Sequence, residues 1–294
     1  MSEVSRYLDP TLVEHLNHMQ LYARSVVQGG TAGLHRSPLK GASIDFRQHR
    51  FYVPGDEPRR LDWRVLARTD RPYVKEYDEE TNLRCVLLLD ASGSMAYGHE
   101  YGTKFDYAAR MAAALAYLML RRSESVGVAV CGARVERFVA PHTGPTQLSC
   151  VLEVLEQSDP GGPGDVGAGM HDVAERLERR GLVIVLSDFY LPLDEARSGV
   201  AHLRHGRHEV MAVQIADRDE VEFPFGAWTR FSGLEGEPVR VCEPAAMRGE
   251  YLRRFRDHQR GLGQACTMLG AEFHSFVTDT PLLDALRHML SRRR

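Results

Sequence analysis

Residues 85–89 form an unbroken apolar run, Cys-Val-Leu-Leu-Leu, that ends on Asp90, and residues 182–186 form a second, Leu-Val-Ile-Val-Leu, that ends on Ser187 and Asp188. A strand with one wet face alternates polar and apolar residues; a strand apolar throughout must be covered on both faces. Two such runs commit the chain to a parallel sheet held between layers of helix. The intervening segments supply the helices: 105–120, rich in Ala, Leu and Met, then 148–155, 166–177, a helix ending near Gly206, 250–269 and 282–290. Further strands are expected at 210–215 and 273–277, and 126–130 with 135–139 flank Gly132 and Ala133 as a hairpin. The alternation predicts an α/β fold with a doubly wound, mostly parallel sheet over residues 83–294.

Residues 1–82 read differently. Asp9 and Pro10 look like an N-cap followed by proline at the first helical position, and Leu12, Leu16, Met19, Ala23 and Val27 recur at helical steps until Gly29 and Gly30 stop them. This amphipathic helix needs something to pack on. From 43 to 84 short β-rich runs (51–53, 72–77) are broken by Pro54, Gly55 and Asp56, which suggests a small β-rich subdomain.

The charge balance narrows the partners. With 37 basic and 40 acidic residues the net charge is -3, which gives no field for a polyanion. The cationic stretch from Arg59 to Lys75 is interleaved with acids, so nucleic-acid binding is not expected. Cys85, Cys131, Cys150, Cys242 and Cys266 are odd in number and widely spaced, and are expected as buried reduced thiols. Residues 1–24 show no apolar h-region, and no stretch approaches the ~20 apolar residues of a membrane span. A cytoplasmic protein without membrane contact is expected.

Chemistry concentrates after the first apolar run. In an open parallel sheet, ligands bind beyond the carboxyl ends of the strands. There Asp90, Ser92 and Ser94 offer one carboxylate and two hydroxyls at alternate positions of a tight turn. An all-oxygen set suits a hard ion, Mg²⁺ first and Mn²⁺ or Ca²⁺ next. Asp188, at the end of the other buried run, is the best candidate for a contributor from a second loop. The same residue types also serve as ordinary N-caps and turn formers.

Catalytic alternatives fit less well. A phosphohydrolase using Asp90 as nucleophile with Mg²⁺ is the main one, yet that chemistry wants a second acid two residues on, where this chain has Ser92. Ser92 and Ser94 lack the Gly-x-Ser-x-Gly elbow of serine hydrolases, and no phosphate-binding Gly-x-x-x-x-Gly-Lys loop occurs. The protein is expected not to be an enzyme. His202, His205 and His208 stand at three-residue steps, but Gly206 ends the helix between them, so they read as a solvated basic helix terminus.

The stretch 88–95, Leu-Leu-Asp-Ala-Ser-Gly-Ser-Met, resembles the metal-ion-dependent adhesion site of von Willebrand factor A domains. Upstream, Arg50, Tyr52, Gly55 and Asp56, then Arg59, Asp62 and Trp63, then Arg68 are similar to the signature of domain-of-unknown-function family 58, in which an A-like domain follows. The resemblance spans nearly the whole chain. It implies a von Willebrand factor A-like, Rossmann-type fold that binds a divalent cation, with Ser92 and Ser94 as direct ligands and Asp90 and Asp188 bound directly or through water. It also implies a noncatalytic adaptor working with a MoxR-type AAA+ ATPase in assembly or maturation of an unidentified client protein. The signature residues would form a family-specific surface. One departure stands out: where A-type domains supply a threonine, this chain has Gly164. Either the site is then weakened, or the adjacent Asp165 carboxylate takes over, or Thr146 approaches from elsewhere.

Overall fold

A computed structural model describes residues 5–23, 44–52, 62–69, 71–79, 83–226 and 228–291. The chain divides into two units, one of Met1–Gly33 with Leu83–Arg294, the other of Leu34–Asn82.

The larger unit begins with α1 (Pro10–Ala23). Asp9 starts it as expected, its Oδ1 accepting the Leu12 N–H at 2.8 Å. Leu12, Leu16 and Met19 are buried in the core of this unit, so the helix packs here, although the sequence grouped it with segment 1–82. Val27 lies outside the described residues.

In the smaller unit β1 (Ile44–Phe51) and β2 (Tyr73–Glu79) pair antiparallel, with α2 (Trp63–Thr69) between them in sequence. The helix was not expected. Asp62 caps it through the Val65 N–H at 3.2 Å, and the Tyr52 N–H donates to the carbonyl of Pro72 at 2.9 Å. Of the other signature residues, Arg50 lies in β1, Trp63 is exposed and Arg68 sits in the last turn of α2, while Gly55, Asp56 and Arg59 lie outside the described residues.

The larger unit continues with β3 (Arg84–Asp90), the two-residue strands β4 (Gly98–His99) and β5 (Gly102–Thr103), and α3 (Lys104–Leu120). Next come β6 (Ser125–Cys131), β7 (Val135–His142), α4 (Gln147–Glu156), α5 (Val166–Arg176) and β8 (Leu182–Ser187). Then follow α6 (Leu193–His205), β9 (Glu209–Ala216), α7 (Arg218–Glu222), β10 (Thr229–Phe231) and β11 (Arg240–Cys242). The last elements are α8 (Pro244–Met268), β12 (Glu272–Val277) and α9 (Leu282–Ser291).

Six strands form the central sheet in the order β12-β9-β8-β3-β6-β7. Every neighbouring pair is parallel except β6 with β7, the expected hairpin. The chain thus starts at the middle of the sheet and winds out in both directions, which is the doubly wound order. Successive side chains of β3 face opposite ways: Cys85, Leu87 and Leu89 enter one core with α1, α3, α4 and α9, while Val86 and Leu88 enter the other with α5, α6 and α8. That is why the run is apolar throughout.

Three thiols, Cys85, Cys131 and Cys266, are buried as expected, whereas Cys150 is exposed on α4 and Cys242 is half-buried. No helix among the described residues is long and apolar enough to cross a membrane.

Candidate functional site

The doubly wound order reverses between β3 and β8, and there the loops after the two strands leave in opposite directions and open a crevice. Asp90 closes β3 and Ser187 closes β8, so the residues singled out by sequence meet at this switch point. A hydrogen bond joins them, Ser187 Oγ donating to Asp90 Oδ2 at 2.6 Å. Asp90 Oδ1 accepts the Ser92 N–H at 2.8 Å, which folds the loop back over the strand end. The loop is pinned to its surroundings by Ala91 N–H to the carbonyl of Cys131 (2.7 Å), Gly93 N–H to that of Gly162 (2.8 Å), and Gly161 N–H to that of Ala91 (2.9 Å).

The hydroxyl oxygens of Ser92 and Ser94 stand 3.0 Å apart. Two neighbouring ligands on an octahedral Mg²⁺ with bonds of about 2.1 Å are separated by about 3.0 Å. The two serines are therefore already spaced as one edge of such a shell. Asp90 lacks the counter-charge to match its burial: burial first, and then the charge of Asp188, push its carboxyl up from 3.8 to about 6. A cation held by Asp90, Ser92 and Ser94 would relieve both effects. These residues fit a hard divalent ion, through hydroxyls more than carboxylates; among the described residues no cluster of three or more His, Cys, Asp or Glu is placed to hold a metal.

Asp188, the contributor expected from the second loop, is paired with a buried ammonium. Its Oδ2 accepts from Lys104 Nζ at 2.7 Å and its Oδ1 from the Tyr190 N–H at 3.1 Å. Lys104 also donates to Glu220 Oε1 at 2.6 Å and is only 1% exposed. Burial works against its charge, but the two carboxylates outweigh it and hold the ammonium above its usual range. Asp188 thus shares the switch point with Asp90 while paired to a cation of the chain itself. Phe189, next in the chain, takes a left-handed φ of 55° that lets its N–H reach Ser187 Oγ at 2.8 Å.

Asp165 caps α5, its Oδ1 accepting the Ala168 N–H at 2.8 Å. Thr146 stands at the start of α4. Gly164 does more than lack a hydroxyl: a Cβ there would lie 2.0 Å from Cβ of Ser92, so no side chain fits while the two backbones touch. Gly164→Ala should therefore destabilise the protein by about 1–3 kcal/mol through overpacking, read as a lower urea midpoint; an unchanged midpoint would show that the backbones separate freely.

Two site residues gave no sequence signal, Lys104 and Glu235. Lys104 precedes an ordinary apolar helix. Glu235, between Gly233 and Gly236, accepts the Ser94 N–H on Oε1 at 3.1 Å and the Gly164 N–H on Oε2 at 3.4 Å. At the crevice Tyr190, on the loop that leaves β8, and Leu234, between β10 and β11, are exposed (76% and 46%). The histidines of α6 do not gather: His202 pairs with His171, Nδ1 to Nδ1 at 2.7 Å. His208 is buried with neither ring nitrogen hydrogen-bonded, which corrects the expectation of a solvated terminus there.

Residues 48–261 match the family described as "Protein of unknown function DUF58". Uncharacterized proteins of Mycobacterium tuberculosis and Mycobacterium bovis are each 28% identical over 291 residues, covering 97% of this chain and 91% of theirs. Among solved structures, similarity extends to BatB from Bacteroides thetaiotaomicron (14% identity, TM-score 0.46, 72% of this chain and 98% of that one). The SpRpn10 VWA domain is similar at 12% identity and TM-score 0.41, over 71% of this chain and 95% of that one.

Proposed function

Since the chain belongs to the DUF58 family of proteins of unknown function, we propose that it is a noncatalytic, metal-dependent adaptor that binds other proteins in the cytoplasm. The observation that carries this reading is the 3.0 Å spacing of the Ser92 and Ser94 hydroxyls beside the buried Asp90, at the switch point of the sheet. In such a site the ion is held by one carboxylate and neutral oxygens. It stays electrophilic, and an acidic side chain of a partner completes its shell. The exposed Tyr190 and Leu234 supply apolar contact area around that point. We propose Mg²⁺ as the ion and, from the sequence resemblance, a MoxR-type AAA+ ATPase as the partner, with a client protein handed between them.

Both carboxylate oxygens of Asp90 are engaged in holding the loop and Ser187, which speaks against a nucleophilic role. The direct test is a lysate pull-down with wild type and Ser92→Ala in Mg²⁺ or chelator, together with a phosphatase screen in Mg²⁺. An AAA+ ATPase is expected only with wild type in Mg²⁺. Recovery that ignores both treatments would place binding on another surface, and turnover abolished by Asp90→Asn would overturn the adaptor reading.

A further inference from the structure

The crevice contains a carboxylate that comes from neither of the strands that build it. Residues 232–239 join β10 to β11, and near the middle of this connection Glu235 holds the Ser94 and Gly164 N–H groups, one on each oxygen. Both donors adjoin Ser92: Ser94 shares its hydroxyl contact, and the backbone of Gly164 touches its Cβ. The connection is seated by its backbone as well. The carbonyl oxygen of Leu234 approaches Gly93 so closely that a Cβ there would meet it at 2.2 Å, and Glu237 Oε2 accepts the Glu235 N–H at 3.1 Å. The Glu235 carboxylate accepts both of its hydrogen bonds to Ser94 and Gly164 from backbone N–H groups. It is held by backbone dipoles aimed at it, as an anion is held in a nest of N–H groups.

We infer that Glu235 occupies in cis the position that an acidic side chain of a partner takes, and that residues 232–237 are a strap which must lift before a partner binds. The identity of the competitor, a partner carboxylate, rests on the reading proposed above; the seating of the strap does not. The binding-competent form is then only a fraction of the population, and an external carboxylate binds more weakly by that fraction. Two charge-assisted hydrogen bonds, one of them long, correspond to roughly tenfold.

Glu235→Gln, with Glu235→Ala as a second variant, tests the strap by two readouts. In chelator, amide hydrogen exchange at Ser94 and Gly164 should quicken about tenfold over wild type. In Mn²⁺, capture of an acetylated Gly-Glu-Gly amide peptide should tighten by a similar factor while Mn²⁺ affinity itself stays within about threefold. Unchanged exchange at both amides overturns the strap. So does a tenfold loss of Mn²⁺ affinity, which would make Glu235 a ligand of the ion instead of a competitor at its open position. The exchange arm needs no metal, so failure of the metal reading shows separately, as absence of Mn²⁺ binding by wild type and variant alike.

Discussion

Asp90→Asn is expected to stabilise the protein in chelator at pH 7.5 and to abolish its stabilisation by Mg²⁺. In the folded chain the Asp90 carboxyl titrates near 6 because it is buried and faces Asp188; its ordinary value is 3.8. The folded state therefore binds the proton more tightly than the unfolded one. Its contribution is fully present below pH 3.8 and is lost as pH rises through 6, a difference of about 3 kcal/mol in the metal-free protein. Asparagine removes that slope. Its amide oxygen can accept the Ser92 N–H as Oδ1 does now, and its amide nitrogen can face Ser187 Oγ. A gain of about 1–3 kcal/mol is expected at pH 7.5, and none at pH 4, by urea unfolding in chelator. Mg²⁺ should reverse the order, since only wild type gains from binding. A variant less stable than wild type in chelator would show that the carboxylate is matched by its hydrogen bonds and needs no ion.

Lys104→Met should cost more, about 3–5 kcal/mol at pH 7.5, because removing one partner of a buried pair leaves the other charged and uncompensated. Here two carboxylates lose their cation, Asp188 at 5% side-chain exposure and Glu220 at 22%. Asp188, the more buried, carries most of the cost. The loss should shrink as pH falls and Glu220, whose carboxyl burial pushes up, takes up a proton. Adding Asp188→Asn to Lys104→Met should recover a substantial part of the stability, the sign of direct coupling in a double-mutant cycle. Additive losses would mean that the two residues act independently.

The parts of the molecule legible in sequence are those whose cause is local. Runs 85–89 and 182–186 announce a two-sided burial that only a parallel sheet satisfies, and the candidate ligands Asp90, Ser92 and Ser94 lie within one turn. The connection 217–243 was not legible, because α7, β10 and β11 are short pieces with few buried residues and little periodicity. The environments of the acids were also hidden. Asp188 meets Lys104 from 84 residues away, and Glu235 reaches Ser94 across 141. Neither pairing leaves a trace in the spacing of the sequence. Gly164 was read as an absent hydroxyl, whereas its meaning is contact: the backbone must touch Ser92, and only glycine permits that.

The most direct test is a Mn²⁺ titration of the purified chain, read by electron paramagnetic resonance as free against bound ion. One Mn²⁺ per chain is predicted for wild type, displaced by excess Mg²⁺, with binding lost in both Asp90→Asn and Ser92→Ala. Absence of binding by wild type, or binding that survives both substitutions, would contradict a metal site at this loop.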